Sequence, residues 1–259
     1  MSPNFDGDAN FLAGSTSTAT SLIVTRAPTT TTITSPANSA SFVLNQQVEV
    51  DFTVGPKNTG MGYEYGSVVP TGTVQIKNGT TTLCSATVAT GNCTFTASVV
   101  GGYSLKAYYL GAAASYPGDD QDADENFLAS QSSKVDIGVS FNFAGLFAPV
   151  DPVPTLNSAK ASQAIPLKWR LTDYNGAPVL NFSATAFGVV VSTVACTTSA
   201  GVDAIEEYAG NSGLQNLGDG YYQFNWKSPA SYAGTCKGIG LNLGEGLTRA
   251  PLGYFQFKK

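Results

Sequence analysis

Short runs in which apolar and polar residues alternate are the feature of this sequence that most constrains its fold. From Val48 to Val54 the apolar side chains occupy every second position, with Glu49, Asp51 and Thr53 between them. A period of two places one set of side chains on the buried face of a β-strand and the other in water. Similar runs, separated by Gly, Asn or Pro, recur at 74–76, 103–109, 135–139, 165–171 and 222–226. Closely spaced strands with turn signals and no helical stripe predict an all-β chain of antiparallel β-sandwich domains in series.

The residue composition restricts the chemistry that the chain can perform. Charged residues make up only 12%, while 28 glycines and 13 prolines are typical of a turn-rich β protein. The chain has no histidine, which removes Ser-His-Asp and Cys-His catalysis and zinc sites that need imidazole. We therefore expect no enzymatic activity and no cofactor other than a possible calcium ion. A net charge of −5, with only 13 Lys and Arg residues, argues against nucleic acid as a partner.

The four cysteines predict two disulfide bonds. None belongs to a C-x-x-C pair, so zinc-finger spacing and thioredoxin-type chemistry are not indicated. Three pairings are open, and the economical one joins Cys84 to Cys93 and Cys196 to Cys236, one bridge in each half. Disulfides persist in oxidising compartments, which predicts an extracellular or bacterial cell-surface location. No apolar run reaches the roughly 20 residues of a membrane span, and no signal peptide is visible, so we expect a piece of a longer protein.

An internal repeat sets the predicted domain boundaries. The stretch DANFLAGS at 8–15 returns as DENFLASQ at 124–131, 116 residues later. In both copies a Ser/Thr-rich strand follows and a new domain then begins, as in a tandem array. We therefore expect residues 1–25 to be the closing strand of a preceding repeat, followed by β-sandwich domains at 26–139 and 140–259.

The closing strand expected at 17–25, STATSLIVT, lacks its parent module in this chain. An apolar strand of this kind can pack beside the following domain, remain without structure, or pair with the open sheet edge of another molecule. Neighbouring Ig-like repeats or identical subunits, joined through strand pairing, are therefore the predicted partners.

Several motifs between residues 28 and 139 resemble the bacterial Ig-like repeat domains of large surface proteins. They are GTVQI at 72–76, the strand with Leu83 and Cys84, GNC at 91–93 and GYSLKAYY at 102–109. Domains of this family commonly carry a hairpin cysteine pair where Cys84 and Cys93 stand.

From residue 141 to 259 the chain resembles the PxKF domain, a module found towards the C-termini of bacterial extracellular proteins. The motif that names the family is matched by PLKW at 166–169, with Trp169 in place of the family Phe. Further matches, in order, are FAPVD at 147–151, IEEY at 205–208, GDGYYQFNWK at 218–227 and LGEG at 243–246. The two resemblances imply a non-catalytic extracellular stalk, adhesion or fibre module.

An acidic loop, DDQDADE at 119–125, is the candidate metal site. Calcium takes six to eight oxygen ligands, and Asp120, Asp122 and Asp124 at alternate positions supply part of such a shell. An EF-hand is excluded because Glu125 stands where that loop needs its sixth-position glycine. The alternative is a solvated loop tip that binds no ion.

Exposed aromatic side chains suggest an alternative function, glycan binding. Tyr222, Phe224 and Trp226 share one face of a strand, and we expect that face to lie in the core. Tyr221 and Tyr232 then remain as the pair that can stack on sugar rings.

Residues 202–208 are the only candidate helix, because their acidic side chains suit the positive N-terminal end of a helix. Glu206 and Glu207 are adjacent and point in different directions, unlike the facing carboxyl pair of a glycosidase.

Overall fold

The computed structural model describes residues 4–6, 8–10, 12, 14–15, 26–57, 69–111, 126–197, 201–205 and 213–259. The helical elements in these segments are two short 3-10 turns, Ala184–Ala186 and Ala230–Tyr232. The prediction of an all-β chain with two β-sandwiches in series is confirmed. Ahead of the first sandwich, β1 (Asn4–Phe5) and β2 (Gly14–Ser15) pair antiparallel. The strand predicted at 17–25 lies outside the described residues.

The first sandwich packs a three-stranded sheet against a larger one. In spatial order, the smaller sheet consists of β3 (Thr29–Ser35), β5 (Gln47–Pro56) and β8 (Asn92–Thr96). The larger consists of β4 (Ala40–Val43), β11 (Val135–Ser140), β9 (Gly101–Tyr109), β6 (Thr73–Asn78) and β7 (Thr81–Thr87), and β10 (Ser130–Gln131) also pairs with β9. The chain crosses between the sheets after β3, and β4 consequently runs parallel to β11, whereas the other pairings are antiparallel.

The alternating run in β5 builds the first core as predicted. Val48, Val50 and Phe52 are buried, and Glu49 between them is exposed. The facing sheet contributes the alternate residues of its own strands to the same cluster: Val74, Ile76, Tyr103, Leu105, Ala107, Ile137 and Val139. Two inner faces that interdigitate in this way form the core of a sandwich.

The second copy of the internal repeat closes this first sandwich. Ala27 and Phe127 form a parallel bridge, in which the Ala27 N–H donates to the Asn126 carbonyl at 2.9 Å. The Phe127 ring is buried in the first core. This copy therefore ties the start of the sandwich to its end.

The second sandwich has four strands in one sheet and five in the other. In spatial order, the first sheet consists of β12 (Asn142–Phe147), β14 (Ala164–Thr172), β18 (Tyr221–Lys227) and β17 (Gly213–Gly218). The other consists of β15 (Gly188–Thr193), β19 (Cys236–Asn242), β20 (Thr248–Lys258), β13 (Leu156–Lys160) and β16 (Val202–Ala204). β13 runs parallel to both of its neighbours, and the remaining pairs are antiparallel.

Aromatic rings form a connected cluster within the core of the second sandwich. Trp169 on β14 is fully buried and stacks on Phe187, with ring centroids 5.2 Å apart. Tyr222 and Trp226 on β18 are buried on the face predicted to be internal, and Phe224 is half-buried. Trp169 of the PLKW motif therefore places a large ring in the centre of this core.

The candidate helix at 202–208 does not form where the structure describes this segment. Val202–Ala204 forms β16, an edge strand whose backbone pairs with Leu156 to Ser158 on β13. Pairing with a neighbouring strand outweighs the local charge pattern because tertiary context overrides weak helix propensity. Glu206 and Glu207 lie outside the described residues.

Candidate functional site

A single residue, Phe141, connects the two sandwiches. β11 ends at Ser140 and β12 begins at Asn142. Phe141 is itself buried and belongs to the second core. Because one residue leaves almost no slack, the groups that hold Phe141 restrict the conformation of the link between the sandwiches.

A buried ion pair of the second sandwich holds both backbone groups of Phe141. The Phe141 N–H donates to Glu245 Oε1 at 2.5 Å, and Arg249 Nη2 donates to the Phe141 carbonyl at 2.7 Å. Arg249 also makes a bidentate contact with the Glu245 carboxylate, Nε to Oε2 and Nη2 to Oε1, both at 2.9 Å. The Glu245 side chain is 0% exposed and that of Arg249 is 19% exposed, so the carboxylate is shielded from solvent and the guanidinium is largely buried. The arrangement forms a junction clamp, by which we mean Glu245 and Arg249 bound to Phe141.

A turn of the first sandwich makes the second contact across the junction. The Tyr174 N–H donates to the Leu44 carbonyl at 2.8 Å, and Asn45 Nδ2 donates to Asp173 Oδ2 at 2.9 Å. Leu44 packs its side chain against the second core. Asn45 has a φ of 63°, a left-handed conformation that asparagine tolerates better than most residues. Among the described residues, the two sandwiches are thus joined through Phe141, through this turn, and through Val100, which also packs against the second core.

The Asp173 carboxylate is a well-satisfied acceptor at this contact. The hydrogen bond from Asn45 lowers the pKa of Asp173, and backbone N–H donors of residues 175–177 lower it further against the opposing effect of burial. The backbone N–H groups of Asn175 and Ala177 each donate to Asp173 Oδ1 at 2.9 Å. Asp173 is therefore charged at neutral pH and orders its own turn.

A groove of about 580 Å³ lies between the two sandwiches beside this contact. Both sandwiches contribute to its walls, which contain amide side chains, a hydroxyl and one tyrosine: Asn45, Gln46, Gln47, Thr96, Tyr174 and Asn175. A concave polar surface of this volume falls within the size range of small-ligand sites.

Both predicted disulfides are present, and the predicted pairing is confirmed. Cys84 on β7 and Cys93 on β8 are joined with 6.0 Å between their Cα atoms, which links the two sheets of the first sandwich. Cys196 and Cys236 are joined with 5.3 Å between their Cα atoms and tie the chain after β15 to β19. Each sandwich therefore carries its own covalent staple.

The structure does not bring Tyr221 and Tyr232 together. Tyr221 begins β18 and is 41% exposed, with the Arg170 guanidinium 5.2 Å from its ring centroid. Tyr232 is half-buried against Trp226, near the other end of the same strand. Tyr221 and Trp226 are five positions apart along the strand, about 17 Å at the usual rise. These two tyrosines do not form a common platform for one sugar.

The predicted calcium ligands Asp120, Asp122 and Asp124 lie outside the described residues. Within the segments that the structure describes, no group of three or more His, Cys, Asp or Glu side chains is placed to hold a metal ion. One acidic pair is present, where burial raises the pKa of Asp151 and the neighbouring Asp203 raises it further.

Sequence reasoning missed most of the junction. The sequence marks Glu245 only as part of the LGEG match and does not distinguish Asn45, Asp173, Tyr174 or Arg249 from other loop residues. The available signals were weak, because an acidic residue beside two glycines and a DYNG turn both occur in ordinary loops.

Among the described residues, no helix is both long and apolar enough to cross a bilayer.

Comparison with known proteins finds similar solved structures of low identity. Fibronectin(III)-like modules of CbhA from Clostridium thermocellum are 22% identical, with a TM-score of 0.30, and the match covers 43% of this chain and 96% of theirs. Three N-terminal domains of the outer capsid protein Hoc of bacteriophage RB49 are 12% identical, with a TM-score of 0.26, over 90% of this chain and 70% of that one. Domains 4 and 5 of the S-layer protein SbsC are 10% identical, with a TM-score of 0.24, over 89% and 98%.

No protein-family model matches the chain, and no curated protein matches it either. The β-sandwich assignment therefore rests on the sheets and cores described above.

Proposed function

We propose that this protein is a non-catalytic structural module of a bacterial extracellular protein, a stalk, adhesion or fibre element with a stiff junction between two domains. The observation that carries this proposal is the junction clamp, in which a buried ion pair holds both backbone groups of Phe141. A chain whose function is to transmit position or force gains from a fixed junction, since domains of one chain otherwise move relative to each other by default.

The two disulfides support an extracellular location. Each closes a loop within one sandwich, and such bonds are stable outside the reducing cytosol. In protein taken from its native source and denatured without reductant, a thiol titration is expected to find no reactive sulfhydryl. Four reactive sulfhydryls would place the protein in a reducing compartment and overturn the proposed location.

The proposed domain division and family relations follow the sequence motifs. We assign 26–139 to an Ig-like repeat and 140–259 to a PxKF-like domain, with 1–25 as the closing strand of a preceding repeat. Copy two of the internal repeat supports this division, because Phe127 and Asn126 close the first sandwich. By analogy, copy one belongs to an earlier module.

Strand pairing through residues 1–25 is the proposed contact with neighbouring repeats or identical subunits. Leu12 in copy one is 94% exposed, whereas its counterpart Leu128 in copy two is less than half exposed. Deletion of residues 1–25 is expected to reduce the particle size measured by light scattering. Assemblies that persist after the deletion would exclude this contact.

Calcium binding by Asp120, Asp122 and Asp124 is a separate proposal. Calcium is expected to raise the melting temperature of the unmodified protein, and Asp122→Asn is expected to remove that increase. An identical melt in calcium and in EDTA would exclude the site.

The stiff junction is tested by residual dipolar couplings measured separately for the two sandwiches. Couplings from both domains of the unmodified protein are expected to fit one alignment tensor. Glu245→Gln leaves Arg249 without its counter-charge and is expected to produce two different tensors. The matched control is Asp219→Asn, which removes an exposed partner of Arg170 on the same domain and should leave one tensor. Two tensors in the unmodified protein would overturn the proposal.

A further inference from the structure

The groove between the sandwiches combines an exposed aromatic ring with several carboxamide groups. Asn45, Gln46, Gln47 and Thr96 come from the first sandwich, and Tyr174 and Asn175 from the second. No lining side chain carries a charge, although the chain as a whole has 31 charged residues, 13 basic and 18 acidic. The lining composition therefore favours a neutral polar ligand over an ion, a phosphate or a charged peptide.

The backbone of Tyr174 is held in place, and its side chain remains accessible. Its backbone N–H donates to the Leu44 carbonyl across the junction, which fixes the base of the residue. The residue is nevertheless 57% exposed, more than Tyr221. An aromatic face with partial negative charge attracts the polarised C–H groups on the apolar face of a pyranose.

Two of the amide groups around this ring, those of Asn45 and Gln46, are positioned by contacts within the protein. Asn45 is fixed by its left-handed backbone, by its N–H bond to the Ala97 carbonyl at 2.8 Å, and by its Nδ2 bond to Asp173. Gln46 Oε1 accepts a hydrogen bond from the Val43 N–H at 2.9 Å, which leaves the Gln46 Nε2 donors for another partner. Amides offer both donors and acceptors, the combination that sugar hydroxyls require.

We propose that this groove is a carbohydrate-binding site for a neutral sugar of one or two residues, with Tyr174 stacking on the ring and the amides of Gln46, Gln47 and Asn175 bonding its hydroxyls. The volume of about 580 Å³ lies within the usual range for small-ligand sites. Since the groove is open, the same site can hold the end or a segment of a longer glycan. The site differs from the Tyr221 and Tyr232 surface considered in the sequence analysis.

Because both sandwiches line the groove, a bound sugar makes contacts across the junction. Binding to the folded state alone then stabilises the chain by mass action, and it opposes any hinge motion at Phe141. This site is independent of the structural proposal, since a stiff spacer needs no ligand and a glycan site needs no stiff spacer.

The test is an array of neutral oligosaccharides, followed by titrations of the isotope-labelled full chain with lactose, cellobiose, maltose and chitobiose. Saturable amide shifts at residues 45–47 and 174–175 are expected for at least one sugar, with a Kd on the order of 1 mM. Tyr174→Ala and Gln47→Ala are each expected to weaken binding about tenfold, equivalent to about 1.4 kcal/mol. Tyr174→Phe keeps the stacking face and should bind nearly as well as the unmodified protein.

The matched control is Tyr221→Ala, another exposed tyrosine of the same domain, which should leave binding unchanged. Unaltered thermal melts of the variants separate lost binding from lost folding, and all these side chains are exposed enough for that control to succeed. Absence of binding across the array and the titrations overturns the proposal. Binding that survives Tyr174→Ala, or that is lost on Tyr221→Ala instead, overturns it in favour of the other surface.

Discussion

The two sandwiches share an architecture and differ in how their cores are filled. Among the described residues, the first core has one aromatic ring pair, Phe95 and Tyr103, with centroids 5.9 Å apart, beside aliphatic side chains such as Val48 and Leu105. In the second, stacked and edge-on rings form a connected cluster around Trp169, and its Phe187 partner also contacts Phe224 at 4.8 Å. A core of branched aliphatic residues follows directly from strand alternation, whereas a ring cluster also requires matching ring orientations.

The two sandwiches also differ in the kind of polar groups that they bury. Those of the first, within the described segments, are hydroxyls such as Thr29, Thr31 and Ser132, whereas the second buries Asp173, Asn157 and Glu245. A buried charge is stable only with a partner, and the partners of two of these groups lie at the junction. The comparison teaches that the second sandwich carries the groups that determine how the two domains are joined.

The largest expected effect concerns the aromatic core. Trp169→Ala should lower the free energy of unfolding of the second sandwich by about 3–5 kcal/mol, because it removes the central ring and leaves a cavity. The protein has two tryptophans, Trp169 and Trp226, both in the second sandwich. Fluorescence of Trp226 therefore reports that domain during denaturant unfolding, while far-UV circular dichroism reports both.

Leu105→Ala is the matched variant in the first core. It should lower the free energy of unfolding of the first sandwich by about 2–5 kcal/mol, measured by circular dichroism. The unfolding transition followed by tryptophan fluorescence should change much less. Equal shifts of both signals in both variants would mean that the sandwiches unfold as one unit, and the comparison of two separate cores would fail.

Removal of a disulfide is expected to have the next largest effect on stability. The bond between Cys196 and Cys236 closes a loop with a sequence separation of 40, against 9 for Cys84 and Cys93. In the loop-entropy description, replacing each pair by alanine costs about 4 kcal/mol in the second sandwich and about 2.7 kcal/mol in the first. Denaturant midpoints of the two double variants measure this difference, and a larger loss in the first sandwich would reverse the ranking.

The junction clamp comes third. Glu245→Gln should cost about 3 kcal/mol, because Arg249 keeps its charge in a largely buried site without a counter-charge. Asp219→Asn breaks the exposed pair with Arg170 and should cost less than about 1 kcal/mol. Thermal unfolding of the two variants under identical conditions compares them, and equal effects would show that burial of the clamp contributes nothing.

The smallest effects are those of pH on two carboxyl groups of the second sandwich. Asp173 has a lowered pKa, so its stabilising contribution is present above the unfolded value of 3.8 and is lost as pH falls through the folded pKa. Asp151 has a raised pKa, so its charged form is unfavourable once pH rises through the folded pKa.

Asp173→Asn should therefore lower the stability of the second sandwich at neutral pH, and this loss of stability should become smaller as the pH falls. Asp203→Asn should stabilise at neutral pH by relieving the repulsion on Asp151, and that gain should also shrink on acidification. Melting temperatures from acidic to neutral pH measure the stability change of each variant. If both variants were stabilised, or both destabilised, at neutral pH, the opposite pKa shifts of Asp173 and Asp151 would be contradicted.

Much of the fold follows from local patterns. Alternation assigned Val48, Val50 and Phe52 to the core and separated buried Tyr222 from exposed Tyr221, because the side-chain period of a strand is two wherever the strand lies. The candidate helix at 202–208 shows where local patterns are insufficient. Residues 202–204 form a strand because their backbone pairs with β13, more than forty residues earlier in the chain.

Local sequence patterns do not predict the residues of the candidate site. Glu245 meets the Phe141 backbone across a separation of 104 residues, and Asn45 meets Asp173 across 128. Neither pair leaves a periodic trace, since each contact exists only after two sheets have packed. Tyr174 stands in a DYNG turn, and a turn sequence does not reveal which domain will lie beside it.

The sequence by itself determined that the chain is all-β, which faces of its strands are buried, and which cysteines pair most economically. These depend on neighbours a few residues apart or on the small number of possible cysteine pairings. Only the tertiary structure decided how the sandwiches are joined, which charges are buried at Phe141, and where an exposed tyrosine meets a row of amides. Those features depend on the relative placement of distant segments, which is fixed by packing of whole sheets rather than by any local propensity.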